Sequence, residues 1–135
     1  RAIDLVKKDA KHYVNEGVNK FLAESNREVF KDEIEEIRKI CQNSKKEGII
    51  NALAGMRDRK DRQHVLRSAK YPIQFILGRH DLIMPFDALV KQVDLCKNPT
   101  LTVLEKSGHL GFIEEKEKAR KALLRFTRKA FRESK

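Results

Sequence analysis

The sequence predicts an α/β fold in which a helical segment over residues 1–58 precedes a strand–helix–strand–helix unit over residues 59–135, a unit incomplete as a stand-alone sheet. Three observations predict it. Apolar residues recur at helical spacing through the first seventy positions. Two short, nearly continuous apolar runs follow, Ile73 to Leu77 and Leu101 to Leu104, as expected of strands buried on both faces. A helical pattern separates those runs and another closes the chain, which is the alternation of a parallel sheet covered by helices.

Residues 2–14 are predicted as one amphipathic helix, with Ile3, Val6, Ala10 and Tyr13 or Val14 on one side and an end near Asn15 and Gly17. Ser25 with Glu28 reads as a capping box, a reciprocal bond between a serine and a glutamate that satisfies free N–H groups of a first helical turn, ahead of Phe30, Ile34, Ile37 and Cys41. Ser44 with Glu47 repeats the device before Ile49, Ile50, Leu53 and Met56. Together these helices make an antiparallel pair or trio. Ile49, Leu53 and Met56 read as its core, with pocket lining as the alternative.

A short helix from about Asp61 to Ser68 leads into Tyr71 and Pro72. After the first strand comes a loop from Gly78 to Pro85, then a helix through Ala88, Leu89, Val93 and Leu95, then the second strand, a loop at Ser107 and Gly108, and a basic helix. Strand, crossover helix and strand imply a right-handed parallel unit. Two parallel strands cannot satisfy their outer ladder edges or cover both faces, so more sheet is expected from an upstream half of the same protein or from a second copy.

Composition narrows the function classes. No apolar run approaches the ~20 residues needed to cross a bilayer, so no membrane partner is expected. The chain opens on Arg1 without the apolar core of a secretory signal, and is expected to begin within a longer protein. Cys41 and Cys96 lack the C-x-x-C spacing of a zinc or redox site and read as reduced, packed thiols of a cytoplasmic protein. His12 and His64 fall in separate helical patterns, and read as surface or packing residues rather than metal ligands.

The net charge of +10 raises nucleic acid or an anionic surface as a partner. Much of it sits in residues 116–135, where nine basic groups face two acidic ones, while Ala119, Leu123, Phe126 and Ala130 mark one packing face. Phe126 falls on the packing face and Phe131 alone stands among the charges, short of the interleaved aromatic residues a nucleic-acid platform requires, so this is read as a solvated face and nucleic acid is not expected. The run Arg57, Arg59, Lys60 and Arg62 with Asp58 and Asp61 reads as a self-neutralising turn.

Candidate chemistry lies just after the carboxyl ends of the two strands, where loops of open α/β sheets bind ligands. Gly78, Arg79, His80 and Asp81 follow the first strand; Ser107, Gly108 and His109 follow the second. On neighbouring loops a carboxylate and an imidazole can meet, the carboxylate accepting from one ring nitrogen while the other exchanges a proton. An aspartate in such a place also commonly caps a turn, and a loop histidine can be structural. The two together point to a catalytic acid, Asp81, and a catalytic base, His109. His80 adjoins the acid without a role of its own.

These stretches, PIQFILGRHDLIMP over residues 72–85 and LTVLEKSGHLGFIEE over residues 101–115, resemble the acid-bearing and histidine-bearing segments of the α/β-hydrolase superfamily, in that family's order of acid then histidine. The resemblance covers roughly residues 71–131. It implies that residues 1–58 are a helical cap, or lid, and that residues 59–135 are the C-terminal part of the hydrolase core. It also implies a small-molecule substrate with an ester or related bond, and no metal or organic cofactor.

One departure is large. Ser25, Ser44, Ser68, Ser107 and Ser134 all lack the flanking glycines of a G-x-S-x-G nucleophile elbow, and no oxyanion-hole segment is present. The nucleophile is then expected on an N-terminal half, and the isolated chain is expected to be inactive. The competing expectation is a non-catalytic fragment or interaction module that associates with itself through its unfinished sheet.

Overall fold

The computed structural model describes residues 1–133; Ser134 and Lys135, the end of the predicted basic helix, lie outside the described residues. Contacts divide the chain into two compact units. One comprises Arg1–Asn19 with Arg27–Asp61; the other comprises Lys20–Asn26 with residues 62 onward. The boundary expected between residues 58 and 59 therefore falls after Asp61, and the segment Lys20–Asn26, read in the sequence as part of the helical region, packs with the strands.

The first unit is helical: α1 (Ala2–Lys8), α2 (Ala10–Val18), α3 (Lys31–Gln42) and α4 (Lys46–Arg57). The predicted helix over residues 2–14 is two helices because Asp9 breaks it. Its backbone is extended, with φ −152° and ψ 92°, and its carboxylate accepts from the His12 N–H to start α2. Helix α1 packs on α2 and α4, and α2 on α3, around buried Val6, Val18 and Ile34. Arg38 of α3 fastens that last pair: its guanidinium donates to the Asn15 carbonyl oxygen at 3.1 Å and to Asn19 Oδ1 at 2.9 Å.

Neither expected capping box forms. Helix α3 starts with Phe30 at its cap position and α4 with Lys45, neither supplying a side-chain bond. Ser25 lies instead in a 3₁₀ turn, Glu24–Asn26, because this stretch is bonded into the second unit. Ser44 turns its hydroxyl back to the Ile40 carbonyl oxygen. Met56 is exposed while Ile49 and Leu53 are half-buried, so of the three expected core positions two pack.

The second unit is α/β. It contains α5 (Gln63–Ser68), β1 (Ile73–Gly78), α6 (Phe86–Val93), β2 (Pro99–Leu104), α7 (Gly111–Glu114) and α8 (Lys116–Glu133). β1 and β2 pair in parallel, in register from Ile73 opposite Pro99 to Gly78 opposite Leu104. Helix α6 is the crossover and packs on β1; α8 packs on both strands, with Gln74 of β1 donating to the Ala122 carbonyl oxygen of α8. Leu77 and Leu104, at the carboxyl ends of the strands, are buried, as are Leu22, Ala23, Val93 and Ala119.

Full burial on both faces, expected of these strands, holds only at those ends. Leu101 in β2 is 41% exposed, and Phe112 and Leu123 are exposed as well, because two strands and their helices leave apolar surface uncovered. The four-residue helix α7 was not predicted; it is too short to show a period. No helix among the described residues is long and apolar enough to cross a membrane.

Candidate active site

Two loops meet at the carboxyl end of the sheet, and glycine permits the approach. A Cβ on Gly78 would overlap the Gly108 carbonyl oxygen, and one on Gly108 would lie 2.6 Å from the Ala23 nitrogen, with only backbone to yield in either case. The loops are then tied together: the Arg79 N–H donates to the Leu104 carbonyl oxygen at 3.0 Å and the His80 N–H to the Ser107 carbonyl oxygen at 2.9 Å.

Asp81 follows at once, its side chain only 6% exposed. One carboxylate oxygen, Oδ1, accepts from the Ile83 and Met84 backbone N–H groups, each at 2.8 Å. The other, Oδ2, lies 2.8 Å from Nδ1 of His109. A carboxylate oxygen that accepts here is matched by a proton on Nδ1, the arrangement that in a neutral ring leaves Nε2 free to accept. The His109 ring stays 36% exposed, with its face beside the Phe21 ring at 6.1 Å between centroids.

The loop bearing His109 is bound from two sides by consecutive glutamates. Glu115 accepts from the Lys106 N–H at 2.8 Å and from the Ser107 hydroxyl at 2.7 Å. Glu114 accepts from the Gly108 N–H at 2.7 Å with one oxygen, and from the Ala23 N–H at 2.8 Å and Asn26 Nδ2 at 2.7 Å with the other. On the backbone, the Phe21 carbonyl oxygen accepts from both His109 and Leu110. Burial pushes the Glu115 carboxyl up, but the bonds from Ser107 and Lys106 and the nearby Lys118 ammonium outweigh it and hold the group below the usual carboxylate range.

A groove of about 560 Å³ reaches both Asp81 and His109, with Ile76, Leu77, Met84 and Leu104 among its apolar walls. On the other side of the Asp81 loop, Arg79 stacks on Phe86 at 4.0 Å and pairs with Glu105. Both partners of that ion pair are exposed, so it contributes little to stability.

None of the described serines is bonded to His109. Ser107 is fully buried and donates to Glu115; Ser44 and Ser68 donate to carbonyl oxygens of their own helices; Ser25 is exposed on its turn. His80 is exposed. Cys41 and Cys96 are free and half-buried, less packed than expected. Among the described residues no group of three or more His, Cys, Asp or Glu side chains is placed to hold a metal ion.

The sequence matches no family model and no curated protein. The shape does find relatives. A thermophilic esterase from Thermogutta terrifontis, solved with malate bound, aligns with a TM-score of 0.86 at 24% identity, over 96% of this chain and 48% of that one. An enol-lactonase from Burkholderia xenovorans gives 0.83 at 17% identity, over 93% and 48%. A bromoperoxidase from Bacillus anthracis gives 0.80 at 17% identity, over 91% and 45%. All three are α/β-hydrolases.

The chain carries the α/β-hydrolase fold. It spans about half the length of the structures it matches. Within this partial α/β-hydrolase fold, Asp81 and His109 are the two site residues picked from the sequence, and the structure brings them within hydrogen-bonding distance. Glu114, Glu115 and the Phe21–Asn26 segment escaped the sequence reading. Their only signal was a pair of acidic residues shortly after the histidine, which nothing in periodicity separates from an ordinary charged helix start.

Proposed function

We propose that this chain supplies the acid and the histidine of a capped α/β-hydrolase that cleaves an ester or related small-molecule bond. The serine nucleophile and oxyanion hole are assigned to an N-terminal half of the same protein. One observation carries the reading: a largely buried carboxylate, fixed by two backbone N–H groups through one oxygen, presents its other oxygen to His109 at 2.8 Å. The names of two structural matches, an esterase and an enol-lactonase, support an acyl bond as the target.

In the proposed reaction Nε2 of His109 takes the proton of the serine hydroxyl as its oxygen attacks the carbonyl carbon, and Asp81 stabilises the resulting imidazolium. The tetrahedral intermediate collapses, the acyl–oxygen bond breaks, and His109 returns the proton to the leaving alkoxide. Water then attacks the acyl-serine by the same proton path, releasing the acid. No metal or organic cofactor enters these steps. The helical unit, Arg1–Asn19 with Arg27–Asp61, is the proposed cap, which would select among acyl and alcohol groups, and the cytoplasm is the proposed location.

Loss of a single oxyanion donor costs ~10²–10³ in rate, so the chain without its companion half is expected to be inactive. The test is turnover of p-nitrophenyl acetate by the full-length protein and by its His109→Ala variant. The proposal expects hydrolysis in the first and none above background in the second. Equal rates would remove His109 as the base.

A second reading has its own observation. Leu101, Phe112 and Leu123 are exposed around a two-stranded sheet, which supports a module that completes its sheet with a second copy of itself. Sedimentation of this chain with and without the companion half separates the two readings. A dimer that the companion half does not displace would favour the module.

A further inference from the structure

The pair Asp81–His109 is held from one side by the Asp81 loop, but what sets the histidine's own backbone is a different set of bonds. Segment 20–26 leaves α2 and returns to α3, yet it is bonded to the histidine loop at both ends of a short stretch. At one end the Phe21 carbonyl oxygen accepts from the His109 N–H at 2.8 Å and the Leu110 N–H at 3.1 Å. At the other the Ala23 N–H donates to Glu114, whose second oxygen takes the Gly108 N–H. Leu22 between them is 0% exposed. Gly108 has no Cβ to hold the segment off.

We propose that Glu114 is a positioning residue for the Asp81–His109 pair, and that through it the placement of the imidazole depends on the segment linking α2 to α3. Its carboxylate gathers three donors from two stretches of chain: Gly108 next to the histidine, and Ala23 and Asn26 on the segment. Bonds to an ionised acceptor are the stronger kind, and a carboxylate is the side chain that can accept on both oxygens without presenting a donor. Glutamine has the same shape but points an NH₂ group at one set of these N–H donors. Asn26 reinforces the joint by also donating to the Lys106 carbonyl oxygen, on the histidine side.

The consequence for chemistry rests on the proposed hydrolase reading. A shift of about 1 Å in a catalytic group costs on the order of 10²-fold in rate, so loosening the loop lowers kcat while substrate binding is untouched. The consequence for the pair itself does not rest on that reading.

Glu114→Gln in the full-length protein is therefore measured in two ways: kcat and KM on p-nitrophenyl acetate, and the proton NMR resonance of the hydrogen bond between His109 Nδ1 and Asp81, identified by its absence in Asp81→Ala. The expected result is kcat lower by about 10- to 100-fold with KM within twofold, together with loss or exchange broadening of that resonance, while the far-ultraviolet circular dichroism stays unchanged. Asn26→Ala removes one of the three donors and is expected to move both readouts the same way by less; it decides the matter if Glu114→Gln does not fold. A sharp resonance at its original position in a folded variant, with kcat unchanged, overturns the assignment. If the unsubstituted protein hydrolyses no ester but the resonance still disappears in Glu114→Gln, the hydrolase reading fails and Glu114 keeps its role.

Discussion

Asp81 has a separate task for each carboxylate oxygen. Oδ1 closes the turn of its own loop on the Ile83 and Met84 N–H groups, and Oδ2 is left for His109. Capping a turn and orienting an imidazole, which are rival readings of an aspartate in sequence, are the same geometry here. Asp81→Asn should keep the turn through its amide oxygen but place an NH₂ group opposite Nδ1, favouring the tautomer whose Nε2 already carries a proton. The expected loss in kcat of the full-length protein is about 10⁴-fold with the melting temperature nearly unchanged. Glu115 gives a test against pH. Its carboxyl is held below the ordinary range in the folded chain, so it adds stability above the unfolded-state pKa, and that contribution is lost as pH falls through the folded value. Glu115→Gln should lower the melting temperature at neutral pH and narrow the gap to the unsubstituted chain on acidification from about pH 5 to pH 3. A gap that stays constant over that range would mean the carboxylate's charge is not what Ser107 and Lys106 recognise.

At the scale of elements, the site exists because two strand ends are brought closer than side chains would allow. Gly108→Ala sets a Cβ against the Ala23 nitrogen and the Leu22 carbonyl carbon, both backbone atoms that no rotamer change can move aside. It should cost about 1–3 kcal/mol, read as a lower urea midpoint at constant slope, and should part His109 from its anchor on Phe21. In the other unit, Asp9→Ala removes the cap that begins α2 and should cost about 1 kcal/mol. The strands, the crossover helix and the last helix were legible because each has a run long enough to show its period, and Asp81 and His109 were legible because they stand at strand ends. What failed were local signals overruled by tertiary bonds. Ser25 has the right neighbours for a capping box, but its stretch is recruited by Glu114 on the far side of the sequence, and no spacing rule sees a partner 91 positions away. Asp9 was the opposite case, a cap hidden inside an apparently continuous amphipathic pattern.

At the scale of the molecule, the described chain is two compact units with a small parallel sheet in one of them, the α/β-hydrolase fold over about half the length of its structural matches. That a two-stranded parallel sheet leaves ladder edges and apolar surface uncovered was deducible from two apolar runs alone, since both follow from strand count. Exposed Leu101, Phe112 and Leu123 should make the chain by itself associate at micromolar concentration, and a companion half should suppress that association; light scattering reads both, and a monodisperse monomer on its own would contradict the account of the sheet. In the proposed reaction His109, oriented by Asp81, moves the proton of an acyl transfer. The most direct measurement is the pre-steady-state burst of p-nitrophenol from p-nitrophenyl acetate in the full-length protein. One equivalent of product per protein molecule is expected in the burst and none in His109→Ala; a burst of full amplitude and rate in that variant would mean that another group takes the proton.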